Sequence, residues 1–502
     1  MKIRFSALLP AAATAAIVPF GAQAEVTALD VWENWKEAIS LYGSDVNVGS
    51  QEIVGKKLVL NDVTMAVSMP DGDAAITAEQ MIFEELGNGT VAVTLPQAIP
   101  YKIKTMGDTD AEIDIEMVMR QSGLDLIASG DPDAISYTYS ADSMSLDFDK
   151  FVVEGDAVEP VVNFVMTKLS GQTSTQTSDV WSFMSAGRVG EILMNMSFDD
   201  PESDNTVKMD FSMKDLDYTS ESEIADGYDM SDPAAMFSGA MSGSADATIG
   251  ATTFQMTAEG SDNFALTGSA ARQTLNYALG KQGLSYGGTS TDTVYSFSSS
   301  DMPFPPVNVS IEQSEFGFAF PLAETEEPVD FQMLLALRGL TTDDFIWQMF
   351  DPTNVLPRDA ATIVIDTKGK ARMMANIFDP EAAMEMQDAF PGELYSLDIN
   401  EIALSIAGAS VEGSGSFSFD NDDLETFDGL PAPSGSVNFD LFGINTLLDN
   451  LGQMGMLPQD QAMGARMMLG LFARPADGDD ALTSTIEVNP DGSVFANGQQ
   501  LR

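Results

Sequence analysis

The stretch "EIDIEMVMR", residues 112–120, sets Ile113, Ile115, Met117 and Met119 on one parity and Glu112, Asp114, Glu116 and Arg120 on the other. An extended backbone turns successive side chains to opposite sides, so such a run specifies a strand with one greasy and one wet face. The alternation recurs along the chain. Ile135, Tyr137 and Tyr139 are followed, after a predicted Ser-Ala-Asp turn, by Met144, Leu146 and Phe148. Further runs are Val207/Met209/Phe211/Met213, Phe254/Met256, Phe264/Leu266, Phe316/Phe318/Phe320, Ile402/Leu404/Ile406, Phe417/Phe419 and Val437/Phe439/Leu441. Hairpin punctuation lies between them: Gly87-Asn88-Gly89 joins Met81/Phe83 to Val91/Val93/Leu95, and Asn489-Pro490-Asp491-Gly492 joins the last two strands. Strands of this kind assemble into an antiparallel sheet with one wet face.

Helical signals are few. "ALDVWENWKEAISLYG" places Trp32, Trp35, Ile39 and Tyr42 on one stripe and stops at Gly43. "AVEPVVNFVMTKL", residues 157–169, reads as a buried helix or a core strand, followed by a polar loop "SGQTSTQTS". "LTTDDFIWQMFDP" offers Thr341 as N-cap with Asp344 three residues on, and stops at Asp351-Pro352. A last helical region is capped by Asn445, breaks near Gly455 to Pro458, and resumes with Met463, Met467, Leu471 and Phe472 on a side expected to pack on the sheet. The strings "ARMMANIF" (371–378) and "ARMMLGLF" (465–472) align, each preceded by Leu-Pro-x-Asp, and read as coincidence or as an old duplication. "MPFPPV", 302–307, is the hinge candidate in what is otherwise one elongated unit over residues 25–502.

The first residues place Lys2 and Arg4 before an apolar run that closes on Ala22-Gln23-Ala24, the layout of a secretory signal cleaved after Ala24. Pro10, Thr14, Pro19 and Gly21 interrupt that run, against a permanent anchor. The expected address is the periplasm of a Gram-negative cell, soluble after cleavage. Removing the segment leaves 21 basic and 77 acidic residues, a formal charge of −56 (21 minus 77). Such a surface repels nucleic acid and anionic headgroups and attracts cations or basic proteins. Acidic clusters at 199–205, 420–423 and 477–480 offer oxygen ligands for calcium, yet none has EF-hand spacing.

Cysteine and histidine are both absent, which removes disulfides, thiolate and imidazole metal sites, and the Ser-His-Asp triad. "GLSYG", 283–287, matches a nucleophile elbow formally, but Ser285 has no histidine partner. No serine precedes a lysine by three residues, and there is no P-loop or dinucleotide fingerprint. The chain therefore reads as non-catalytic, with no site residue to name. Methionine is plentiful at inward strand positions such as Met117, Met119, Met144, Met209 and Met213, which suits either core filling or a deformable groove for acyl chains.

The strings "FIWQMFDPTNVLPRDAATIVID", "FDGLPAPSGSVNFDLFGINTLLDNL", "LPQDQAMGARMMLGLFARP" and "IEVNPDGSVFANGQQLR" resemble the alphaproteobacterial exported proteins grouped as domain of unknown function 2125. The N-terminal "DVWENWK" and "MIFEELGNGTVAVTLP" resemble them too. That resemblance implies an exported envelope protein and brings no catalytic residue with it. The chain's ending is also similar to the YdgA-like envelope proteins and, more remotely, to AsmA-like proteins, whose long curved sheets form a greasy trough.

The expected fold is mainly β: an extended, twisted antiparallel sheet with a few helices packed on its apolar face. The expected function is to hold lipid or another apolar ligand in a groove between sheet and helix. The alternative is an acidic structural protein that binds cations or basic partners. An outer-membrane β-barrel is the third reading, opposed by the Gln-Leu-Arg ending, the acidity of the wet positions and the interrupting helices.

Overall fold

The computed structural model describes residues 25–41, 43–69, 72–106, 112–153, 156–157, 161–178, 180–199, 205–225, 240–260, 263–281, 283–376 and 392–502. The signal segment with its cleavage site and Tyr42 lie outside the described residues.

Helix α1 (Ala28–Leu41) is followed by β1 (Asp45–Val54), β2 (Lys57–Met69), β3 (Gly72–Glu85), β4 (Thr90–Thr94), β5 (Ala98–Met106), β6 (Glu112–Ser122), β7 (Asp125–Asp131), β8 (Ala134–Val153) and β9 (Asp156–Ala157). Next come β10 (Val161–Gln176), β11 (Val180–Asp199), β12 (Thr206–Ala225), β13 (Met241–Ile249), β14 (Thr252–Glu259), β15 (Phe264–Ala270), β16 (Arg272–Gly280), β17 (Gly283–Ser299), β18 (Val307–Phe320) and β19 (Val329–Thr342). Helix α2 (Asp344–Phe350) leads to β20 (Ala361–Met373), β21 (Gly392–Ile406), β22 (Ala409–Asp420) and β23 (Ala432–Phe442). Helices α3 (Ile444–Gln453) and α4 (Gln459–Phe472) precede β24 (Arg474–Pro475), β25 (Ala481–Val488), β26 (Val494–Ala496) and β27 (Gln499–Gln500).

These strands form one antiparallel sheet in which neighbours in sequence are mostly neighbours in space. Some positions across the sheet are filled by one long strand, and others by two short ones end to end. Strand β12 pairs with β13 along one half and β14 along the other, and β17 pairs likewise with β16 and β15. Segment 300–306 is the connection between the paired strands β17 and β18. Among the described residues β1 pairs with β2 and the last strands pair only with near neighbours, so the sheet is open rather than closed into a barrel.

A line of irregular residues crosses the sheet. Lys168 in β10 and Asp215 in β12 adopt the left-handed conformation, with φ of 54° and 49°. The register places Gly190 of β11 between them. Asp62 in β2 and Asp292 in β17 take the same conformation at corresponding positions, opposite Gly49 and Glu312. A single left-handed residue bends a strand sharply and breaks the alternation of its side chains. In β8 the apolar positions are Ile135, Tyr137, Tyr139 and Ala141 before the line, then Met144, Leu146 and Phe148 after it. Parity slips by one, so both halves of the strand keep their apolar side chains on the same side. Ala141, Leu169 and Val189 from one half pack with Met144, Met166 and Ile192 from the other, which places the apolar side on the inside of the fold. The sheet is therefore creased across its strands, like a sheet of paper folded once.

The crease corrects two sequence expectations. Ser140-Ala141-Asp142 is not a turn but the middle of the 20-residue strand β8. The supposed loop after Leu169 continues β10 as its polar half, through Gln176. Both were misread because a phase slip looks like the end of one strand and the start of another.

The main core lies where α1 fills the fold. Val31 and Trp32 are sealed against Leu58, Leu60, Val63, Met81, Phe83, Val91, Ala128 and Ile135, with Trp35 packed on the edge of the cluster. Trp35 meets Phe83 edge-on, with ring centroids 5.5 Å apart. The polar residue carried into this core, Asn34, accepts from the Tyr137 hydroxyl at 2.8 Å and from Thr175 Oγ1 at 3.3 Å.

The other helices depart from expectation. Thr341 lies in β19, which ends at Thr342, and does not cap α2. The N-cap position is Asp343, whose carboxylate instead accepts from the amide and side chain of Asn308. Helix α3 begins after Gly443 rather than at an Asn445 cap, and Asp480 reaches across to accept from the amides of Asn445 and Thr446. On α4 only Ala462 is buried, while Met463, Met467 and Met468 face solvent, with Met467 73% exposed. The methionine side does not pack on the sheet. The two "ARMM" strings lie in different structures, Ala371–Met373 ending a strand and 465–472 a helix, so they carry no duplicated unit.

Candidate functional site

Cα partners in a β-ladder share a face, so the inner surface can be followed from strand to strand by register. On one side of the crease a row runs Tyr139, Gly171, Gly187, Tyr218, Ala247 and Leu275, and on through Gly288, Phe316 and Leu335. On the other side a row runs Leu146, Phe164, Met194, Phe211, Phe254, Gly268 and Tyr295. Among the described residues, the inner positions from β10 to β19 contain no Asp, Glu, Lys or Arg. In a chain with 100 charged residues (23 plus 77) that exclusion is a strong constraint.

The charges sit on the opposite face. Arg188 binds Asp217 through Nε at 2.7 Å and Nη2 at 3.0 Å, Arg120 meets Asp147 at 2.6 Å, and Lys208 meets Glu259 at 2.9 Å. These exposed pairs tie neighbouring strands and keep the basic groups away from the inner surface. The outer face is not wholly polar, since Ala336, Val364 and Ala403 form a small buried cluster there with Leu334. Two open cavities of about 470 and 490 Å³ also lie mainly on the outer face, the first lined by Gln172, Ser174, Glu221 and Asp246 and the second by Asn195, Asp210 and Gln255. Both linings carry carboxylates and neither carries a basic residue, which makes them unsuited to anions.

Aromatic rings pave the inner floor by lying over glycines. A β-carbon on Gly171 would stand 2.5 Å from the Tyr139 hydroxyl, and one on Gly187 would stand 2.8 Å from Tyr218. The two tyrosines reach toward each other across these glycines and join hydroxyl to hydroxyl at 2.7 Å. Burial, reinforced by the Tyr218 hydroxyl, pushes the Tyr139 phenol well above its ordinary value, so Tyr139 stays neutral. Phe254 and Tyr295 crowd Gly268 in the same way, and Phe331 crowds Gly369.

Coverage of this surface is uneven. Beneath α1 it is sealed, with Trp32 1% exposed and Phe83 fully buried. Over β15 to β19 it is open: Phe316 is 38% exposed, Leu335 41% and Tyr295 43%, and Tyr286, Phe297, Phe320 and Met333 are similar. Large apolar side chains exposed side by side are characteristic of interaction surfaces and ligand grooves.

The inward methionines expected from sequence are where the alternation put them: Met117, Met119, Met144, Met209 and Met213 are on the inner face and half-buried. Ser285 lies within β17 between Ala278 and Ala319, on the outer face and in extended backbone rather than an elbow. The acidic clusters serve turns. Asp423 accepts from the amides of Glu425 and Thr426 and from Thr426 Oγ1, and Asp480 serves α3. Cluster 199–205 lies largely outside the described residues, and among the described residues no three acidic side chains gather to hold a metal ion. Among the described residues no helix is long and apolar enough to cross a membrane. Sequence reading missed the glycine floor and the tyrosine pair; Gly171 and Gly187, on adjacent strands, signal nothing until the register pairs them.

Residues 258–499 match the model of a family described as uncharacterized protein conserved in bacteria (DUF2125). The N-terminal strings "DVWENWK" and "MIFEELGNGTVAVTLP" fall outside the matched residues. No curated protein and no solved structure matches the chain.

Proposed function

Starting from a chain whose residues 258–499 match the model of the family DUF2125, we propose that the protein is a non-catalytic binding protein of the cell envelope. It holds an apolar, acyl-bearing ligand against the inner face of its creased sheet. One observation carries this reading: the same face that α1 seals at one end is left open at β15 to β19, with aromatic and aliphatic side chains two-fifths exposed. Water contact with that much apolar surface is unfavourable by about 25 cal/mol per Å², which a bound hydrocarbon would recover. The flexible methionines elsewhere on the inner face adapt to chains of varied shape. The signal-like layout of residues 1–24 supports the envelope address, and the lack of histidine and cysteine supports binding rather than catalysis.

The test is titration of the full chain with a fluorescent fatty acid, alongside native mass spectrometry of protein purified from the periplasm. Saturable uptake and co-purifying acyl species are expected. No uptake and no bound mass would refute the reading.

A further inference from the structure

The two walls of the fold differ in chemistry where β10, β11 and β12 cross the crease. Toward Met166 the inner positions are Phe164, Met194, Met209 and Phe211, all hydrocarbon or thioether. Toward Gly171 one row becomes Thr173, Ser185 and Ser220, beside the joined hydroxyls of Tyr139 and Tyr218, and in the next row Phe183 lies between Thr175 and Ser222. Thr173 Oγ1 and Ser185 Oγ are 3.1 Å apart across the strands, and both residues are only partly buried. The glycines at 171 and 187 and the alanines at 245 and 247 keep this wall low.

Resting on the trough reading, we propose that the ligand is an amphiphile with an uncharged, hydroxyl-bearing headgroup, seated on the hydroxyl wall, with its acyl chains on the methionine and phenylalanine wall. Hydroxyls both donate and accept, so they match a sugar or glycerol hydroxyl without needing charge. Among the described residues an anionic headgroup would meet no cation on this face. It would also lie in the field of a chain of formal charge −54, and an unpaired charge held away from water is strongly disfavoured. Two sources share the chemistry, diacylglycerol and glycosylated diacylglycerol.

The experiment measures binding of dioleoylglycerol, glucosyl-dioleoylglycerol, dioleoyl-phosphatidylglycerol and a plain hydrocarbon probe to the full chain, wild type and with Thr173→Val and Ser220→Ala, singly and together. The neutral lipids are expected to bind tighter than phosphatidylglycerol at equal chain length. Each variant should weaken neutral-lipid binding about three- to tenfold, leaving the hydrocarbon probe unchanged, which also shows that the variant is folded. A preference between the two neutral lipids identifies the source. Equal binding of phosphatidylglycerol, or variants that bind neutral lipid like wild type, would overturn the headgroup assignment while leaving the trough intact. Failure of every acyl probe would overturn both.

Discussion

At the scale of single residues, the fold depends on small side chains at crowded places. Gly190 sits between two left-handed residues, and a β-carbon there would stand 3.0 Å from the Lys168 β-carbon. Gly187 lies under the tyrosine pair, where Val would push Tyr218 off the floor. Gly187→Val should therefore cost about 1–3 kcal/mol, the range for overpacking, read as a lower denaturation midpoint at unchanged slope. Tyr218→Phe keeps the ring but removes the hydroxyl bond, so it should cost less than the glycine variant. Sequence alone showed Tyr139 and Tyr218 as inward strand residues. What it could not show is their meeting, because 79 positions separate them and only the registers of β8, β10, β11 and β12 bring them together.

At the scale of elements, α1 and α3 are held by different forces. Helix α1 is fixed by burial, and Trp32→Ala should remove about 3–5 kcal/mol and speed hydrogen exchange in β2 and β3. Helix α3 depends on the Asp480 carboxylate. Burial opposes ionisation of Asp480, but the bonds from Thr446 and Asn445 outweigh it and hold the carboxyl below its ordinary value of 3.8. Because the folded pKa is the lower one, the stabilisation is full above that ordinary value and is lost as pH falls through the depressed folded value. Amides at the start of α3 should thus open in acid in wild type, while Asp480→Asn should be weakened already at neutral pH and show less further acid dependence, measured by hydrogen exchange across residues 444–453. The strands themselves were legible, since alternation is local. Their unity was not: "TYSADSMS" contains a phase slip of one residue, which a reader of alternation takes for a turn. The same slip at Lys168, Asp215 and Asp292 is a readable signal once the runs on either side are known to be out of step.

At the scale of the molecule, the question is whether the open face works as a surface for ligand or only as a poorly covered core. The two differ in what a buried charge would do. Phe316 and Leu335 are partners across β18 and β19, both about two-fifths exposed, so a charge there keeps part of its hydration. If the face holds a ligand, Phe316→Asp with Leu335→Asp should abolish fatty-acid uptake while lowering the melting temperature only modestly. The same substitution at Phe83, which is sealed beneath α1, should unfold the domain around it. The discriminating result is the ratio of the two effects. Uptake lost with folding kept, as seen by an unchanged far-ultraviolet spectrum, means that the exposed apolar surface is used. Folding lost in both variants means that β15 to β19 carry a second core, and the open face would then be structural. The uneven covering of one continuous face favours the first outcome: α1 shows what these strands look like when the chain seals its own surface, and over β18 and β19 it leaves that surface open.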